Sequence, residues 1–236
     1  MALFCISDPH LSFSSDKPMD VFGDRWQDYV PRFEQNWRQR IGPEDTVVLP
    51  GDISWGMSLE QARLDFEFLH RLPGRRKILL KGNHDYWWTS RSKMESFFAQ
   101  NGFDDLFLLH NNFFPYQDAF GLCGSRGWIN EAGKEQDKKI LDREAMRLEA
   151  SIRPCVESGR EPIVFLHYPP VYGQEVCHEI VDVLKKYDVR KCFYGHIHGS
   201  GYRYAIDGVF DGIDFRLVSC DYLEFRPVRI LPPENE

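Results

Sequence analysis

Five short apolar runs, each breaking off into polar residues, constrain this chain more than any other feature. Leu3-Phe4-Cys5-Ile6 ends in Ser7-Asp8-Pro9-His10, and Asp45-Thr46-Val47-Val48-Leu49-Pro50 ends in Gly51-Asp52. Lys77-Ile78-Leu79-Leu80 opens into Lys81-Gly82-Asn83-His84-Asp85-Tyr86, Ile163-Val164-Phe165-Leu166 delivers His167, and Cys192-Phe193-Tyr194 delivers Gly195-His196-Ile197-His198. Apolar stretches of this length bounded by turn residues read as buried strands. In open α/β sheets ligands collect at the carboxyl ends of strands, so five such exits predict one shared site.

Helical spacing fills the gaps between the runs. Phe33, Trp37 and Ile41 share a face over 30–41, with Pro31 tolerated in the first turn. Ser58-Leu59-Glu60-Gln61 has the form of a capping box before the stripe Leu59, Ala62, Phe66 and Leu69,. Further helices are predicted over 90–100 and, with Leu141, Ala145, Leu148 and Ile152 as its stripe, over 137–157. Strands are expected at 103–109 and 119–123, a polar Gly-bearing loop at 124–136, and hairpins around Asp207-Gly208 and Asp211-Gly212,. Strands alternating with helices and then a run of hairpins predict an α/β fold, with mixed sheet and one domain over residues 1–236.

Composition narrows the functional classes. A formal charge of -7 and a pI near 5.6 argue against coating extended nucleic acid through a broad basic surface,. No run approaches the ~18 apolar residues a membrane span needs, and Met1-Ala2-Leu3-Phe4-Cys5 has no basic leader,. Six cysteines without a C-x-x-C pair, four of them (Cys5, Cys123, Cys192, Cys220) in apolar runs, fit reduced core thiols and a cytoplasmic location,.

The chemistry follows from the residue types. Asp8 and His10 stand two apart at a strand exit, as do His196 and His198, so each pair can point one way and grip an ion,. Carboxylate, imidazole and amide oxygen suit Mn, Fe or Zn, and no cysteine stands where a thiolate site would want it. With Asp8 and Asp52 ionised and the histidines neutral, two divalent ions would leave the site positive. A phosphate ester is then the natural guest, and a two-ion centre supplies a water of lowered pKa for attack on phosphorus.

Asp-x-His, Gly-Asp, Gly-Asn-His-Asp, a lone His and Gly-His-x-His, in that order over residues 8 to 198, closely resemble the calcineurin-like metallophosphoesterase superfamily. The likeness is to small single-domain bacterial-type members. By that resemblance one ion would be held by Asp8, His10, Asp52 and His198, and the other by Asp52, Asn83, His167 and His196. His84 would be the catalytic residue facing the leaving group, as proton donor or transition-state stabiliser, and a hydroxide bridging the ions would attack a phosphomonoester or phosphodiester. The implied fold is a four-layer α/β/β/α sandwich of two mixed sheets flanked by helices. The chain departs from the protein serine/threonine phosphatase branch, because Trp55 stands where a second aspartate would and Asp85 replaces a glutamate. His84 then lacks its usual carboxylate orienter, and Asp85 or another group would have to serve.

Four tryptophans, Trp55, Trp87, Trp88 and Trp128, lie near site loops and could stack on a flat leaving group, although core packing is an equal reading,. Arg126 is the candidate for gripping a second phosphate oxygen, and Trp55 the candidate aromatic substrate contact,. The helix after residue 136 is a candidate lid hinged at 124–136, whereas His70, His110 and His178 fall outside the blocks and read as surface or packing residues. The expected partner is a small phosphorylated substrate, a nucleotide among the candidates, with no membrane. The alternative reading is a non-catalytic metal-binding interaction module on the same fold.

Overall fold

The computed structural model describes residues 1–128 and 135–232. In chain order it contains β1 (Leu3–Cys5), α1 (Tyr29–Arg40), β2 (Thr46–Leu49), α2 (Leu59–Arg71), β3 (Arg76–Leu79), α3 (Arg91–Asn101), β4 (Leu106–Leu108), β5 (Phe114–Tyr116) and β6 (Phe120–Ser125). These are followed by α4 (Glu135–Glu157), β7 (Glu161–Leu166), β8 (Val171–Tyr172), β9 (Glu175–Val176), α5 (His178–Lys186), β10 (Lys191–Tyr194), β11 (Gly208–Phe210), β12 (Ile213–Leu217) and β13 (Val228–Leu231). The fold is mixed α/β, with two large mixed sheets flanked by helices. Its contacts divide into two compact units, Met1–Leu108 with Val218–Glu236, and Leu109–Leu217.

The first unit carries a five-stranded sheet of order β13-β1-β2-β3-β4. β1 through β4 run parallel, and β13 closes the edge antiparallel to β1. Phe4, Val47, Leu49 and Leu79 join one core cluster with Phe33, Trp37 and Ile41 of the α1 segment, Phe66 and Leu69 of α2, and Met94 and Phe98 of α3. Helical periodicity therefore places apolar stripes on the sheet as predicted, and truncating a ring such as Phe66 would cost about 3–5 kcal/mol. Ser58 caps α2, its hydroxyl accepting from the Gln61 N–H, while the Gln61 side chain accepts one residue further back, from Met57 N–H at 2.8 Å.

The second unit carries a six-stranded sheet of order β11-β12-β10-β7-β6-β5. β6, β7, β10 and β12 are parallel, with antiparallel strands at both edges. α4 packs against β6, β7 and α5 through buried Leu141, Leu148 and Ile152. Glu144 is buried on α4 where the stripe anticipated Ala145, which is only half-buried.

The remaining expectations are met in part. β5, which the sequence reading did not include, joins the sheet despite Pro115, which an edge strand tolerates because one side needs no ladder hydrogen bond,. Asp211-Gly212 forms the predicted two-residue hairpin turn, both at positive φ, between β11 and β12,. Asp207-Gly208 instead leads into β11, and residues 199–204 coil into a 3-10 turn. Strand structure in 103–109 is confined to β4, and α4 begins at Glu135. The middle of the 124–136 loop, 129–134, and with it the proposed hinge, lies outside the described residues.

Candidate metal centre

Level strand ends position the residues of the first unit. Cys5 pairs with Val48 and Leu49 with Leu79, so β1, β2 and β3 finish side by side. Beyond the strands the exit loops stay laddered: Asp8 N–H donates to Gly51 O (3.1 Å), His10 N–H to Asp52 O (3.0 Å) and Leu11 N–H to Ile53 O (3.0 Å). Asp8, His10 and Asp52 all hold left-handed backbone, with φ of 59°, 46° and 51°. Such conformations cost a non-glycine residue on the order of 1–2 kcal/mol and cluster where function fixes side-chain direction.

The β3 exit folds over this pair. A Cβ on Gly82 would fall 2.1 Å from Asp52 Oδ1, so no other residue lets the two loops approach this closely,. Asp52 Oδ1 accepts the His84 N–H at 2.7 Å, and the Asn83 N–H also bonds to this carboxylate. Asp52 therefore sets the loop that carries Asn83 and His84.

Asp85 has a different task from the one anticipated. Its Oδ2 accepts from Asp52 N–H (2.9 Å) and Gly82 N–H (2.7 Å), and its Oδ1 from Ile53 N–H (2.8 Å), Ser54 N–H (3.3 Å) and the Trp87 indole (2.9 Å). It clamps the β2 and β3 exits together, and those bonds run to backbone and to Trp87 rather than to the His84 ring. Burial nevertheless pushes its carboxyl up to about 6. Trp87, at 2% exposure, is thereby a structural residue rather than a stacking surface.

Burial also raises the Asp52 carboxyl well above the usual range, with the charges of Asp85 and Asp8 adding to the effect. Three carboxylates in a water-poor space form an anionic pocket that a cation would relieve. His10 Nε2 lies 3.7 Å from Asp52 Oδ2, a separation that two ligand bonds of about 2.1 Å span at an open angle. The donors of this unit fit a divalent ion.

Aromatic rings frame the histidines. Trp55, half-buried, stacks on His10 with centroids 5.2 Å apart and lies 4.3 Å from the His84 ring, while Trp26 meets His10 edge-on at 5.8 Å.

On the second unit, Tyr194 pairs with Leu166, so β7 and β10 also end level, and Gly195 N–H donates to His167 O (3.1 Å). The His167 and His196 rings are 5.1 Å apart, with Tyr168 4.4 Å from His196. His196 has φ 70°, and His198 precedes the 3-10 turn. Arg126 presents its carbonyl to the N–H groups of His167 (3.1 Å) and Tyr168 (2.9 Å). Its guanidinium lies over Trp128 (4.8 Å) and 3.9 Å from the buried Glu144 carboxylate, which also pairs with Arg147.

Side chains able to take part in holding a metal are thus Asp8, His10 and Asp52 on the first unit and His167, His196 and His198 on the second. His70, Asp104 and Asp105 form a further grouping in the first unit, but the Lys77 ammonium already contacts Asp105 and neutralises it.

The family model described as calcineurin-like phosphoesterase matches residues 1–200. The chain belongs to the calcineurin-like phosphoesterase family. Members are generally metal-dependent hydrolases of phosphoesters, and the Asp/His groups above agree with that chemistry. A solved structure of a protein of unknown function from Aquifex aeolicus is similar in fold, with TM-score 0.54 and 15% identity over 97% of this chain and 95% of that one. A second solved structure, 12% identical, gives a TM-score of 0.56 over 91% and 88%. No curated protein matches the sequence. Among the described residues no helix of this calcineurin-like phosphoesterase is long and apolar enough to cross a membrane.

Proposed function

We propose that this chain is a phosphoesterase acting on a small phosphorylated molecule, a monoester or a diester, with two divalent ions as cofactors. The observation that carries the reading is the Asp52 carboxylate, raised first by burial and then by the charges of Asp85 and Asp8, and set 3.7 Å from His10, which a cation would relieve. The family match supplies the reaction class.

In this reading Asp8, His10, Asp52 and His198 serve one ion, and Asp52, Asn83, His167 and His196 the other. Bound ions of the Mn, Fe or Zn type would supply a water of lowered pKa and positive charge for the phosphate. The chain's own residues do the rest. Asp52 orients the Asn83–His84 backbone by accepting its N–H groups, and the packed Trp55 ring limits where the His84 imidazole can swing. His84 hands its proton to the departing oxygen. Arg126, steadied on Trp128, is the candidate for a non-bridging phosphate oxygen, and Trp55 for an apolar part of the ester. The matched segment runs through both units, which supports one domain over 1–236, and buried free thiols support a reducing cytoplasmic setting.

The test is turnover of p-nitrophenyl phosphate and bis(p-nitrophenyl) phosphate by protein loaded with Mn²⁺. The reading fails if Asp52→Asn turns over as fast as wild type, or if wild type binds no metal. His84→Ala is expected to slow turnover while keeping its ions. Bound ions without turnover on a broad ester panel would instead favour a non-catalytic module.

A further inference from the structure

Two of the six free cysteines bring their sulfurs together within the second unit. Cys123 lies on β6 and Cys155 in the last turn of α4, both are buried, and the two thiols hydrogen-bond to each other. Gly121 makes the meeting possible. Cys123 Sγ lies 3.7 Å from Gly121 O, and a Cβ on Gly121 would fall 2.3 Å from Cys155 Sγ, so the strand gives the helix sulfur a bare α carbon to rest on,.

The surroundings of Cys155 suit a reactive sulfur. The bond from Cys123 lowers its thiol from the ordinary range, burial opposes this, and the Arg160 cation adds to the lowering,. Arg160 Nε is buried and makes no hydrogen bond, which leaves a donor of that residue uncommitted. Pro154, just before Cys155, supplies no N–H to the helix, so the last turn of α4 opens at less cost than its interior,. Cys123 is the opposite case: burial pushes its thiol up, and it keeps its proton.

We propose that Cys123 and Cys155 form a site of reversible oxidation, which hydrogen peroxide converts to a disulfide joining α4 to β6. The proposal stands apart from the phosphoesterase reading. Peroxide is little larger than water, and a brief opening of the last turn of α4 admits it. The Cys155 thiolate attacks one peroxide oxygen and the O–O bond breaks; the departing hydroxide takes up the proton that Cys155 lost and leaves as water, with Cys155 now a sulfenic acid. The Cys123 sulfur then attacks the Cys155 sulfur, the S–O bond breaks, and the hydroxide leaves as water with the Cys123 proton. Two thiols are oxidised to one disulfide, and one peroxide is reduced to two waters. Sulfurs already in contact have little distance to close. The link ties α4 to the strand that runs on into Arg126, whose carbonyl accepts from the His167 and Tyr168 N–H groups.

The folded full chain, treated with hydrogen peroxide, then unfolded, alkylated with iodoacetamide and mapped by mass spectrometry, provides the test. Two of the six thiols should be lost from alkylation, recovered as one Cys123–Cys155 cross-linked peptide and returned by dithiothreitol, while Cys5, Cys177, Cys192 and Cys220 stay alkylated. Cys123→Ser should stop Cys155 at the sulfenic acid, trapped as a dimedone adduct, and Cys155→Ser should leave Cys123 reduced. The linked chain should melt several degrees above the reduced one, because the bridge closes a loop of about 30 residues in the unfolded state. Six alkylated thiols in treated wild type overturn the proposal, whether or not the variants fold. A link between other cysteines formed as readily overturns it, as does a Cys123→Ser chain, folded by circular dichroism, whose Cys155 takes up no dimedone. A linked chain that melts no higher than the reduced one also overturns it.

Discussion

The two units present metal-capable groups in contrasting ways. The first offers two carboxylates, one imidazole and an amide from three strand exits, and fixes them by the Asp85 clamp, the missing side chain of Gly82 and left-handed backbone at Asp8, His10 and Asp52. The second offers imidazoles alone, from the level ends of two paired strands, with positive φ at His196 but not at His167 or His198. Buried negative charge needs directed N–H donors to be tolerable, whereas a neutral imidazole needs little more than a strand to stand on. The buried carboxylates are therefore the more heavily scaffolded of these metal-capable groups, although His10 and His196 also hold left-handed backbone.

Removing charge without shape is the strongest way to break this contrast. Asp52→Asn should lower Mn²⁺-dependent ester hydrolysis on the order of 10⁴-fold, since a lost ligand charge costs several kcal/mol of transition-state stabilisation. The metal-free variant should melt no lower than wild type, because burial already disfavours the ionised carboxylate. A fall of several degrees would recast Asp52 as structural.

Next in size is Asp85→Ala, which strands the N–H groups of Asp52, Gly82 and Ile53 in a buried place. We expect a loss of about 3–5 kcal/mol in urea unfolding. A loss below about 1 kcal/mol would remove the clamp from the comparison.

Acid behaviour sharpens the same point. Asp65 holds Ser54, in the β2 exit, and the Phe13 N–H, and burial raises its carboxyl to about 6. The folded state then binds the proton more tightly than the unfolded chain, so its contribution is complete below about 4 and is lost as pH rises through about 6. The swing is bounded at about 3 kcal/mol. Asp65→Asn should flatten that part of the stability curve between pH 4 and 6.5; an unchanged slope would assign it to Asp85 and Asp52.

The smallest effect belongs to the other unit. His198→Ala should change metal-free stability by less than about 1 kcal/mol, while weakening metal uptake at least tenfold by equilibrium dialysis. A destabilisation matching that of Asp85→Ala would erase the contrast.

Much of this was legible in the sequence. Apolar runs reported β1, β2, β3, β7 and β10, because strand burial leaves a contiguous signature, and the Ser58 cap and the Asp211-Gly212 turn are local chemistry. α5 was within reach of periodicity, since Ile180, Val181 and Leu184 share its buried face. Long-range roles were not legible. That Gly82 stands against Asp52, or that Asp85 bridges two loops some 30 positions apart, depends on strand register, which one-dimensional spacing does not carry. The same holds for Glu144, buried against its own helical stripe to meet Arg126 and Arg147.

The backbone at Asp8, His10, Asp52 and His196 has one more consequence. Glycine, or asparagine at the aspartates, adopts that twist with less penalty, so under the proposed function the substitutions that would silence the chemistry would also relax the chain. Breeding this protein for heat resistance alone would then wear away these four residues before its core.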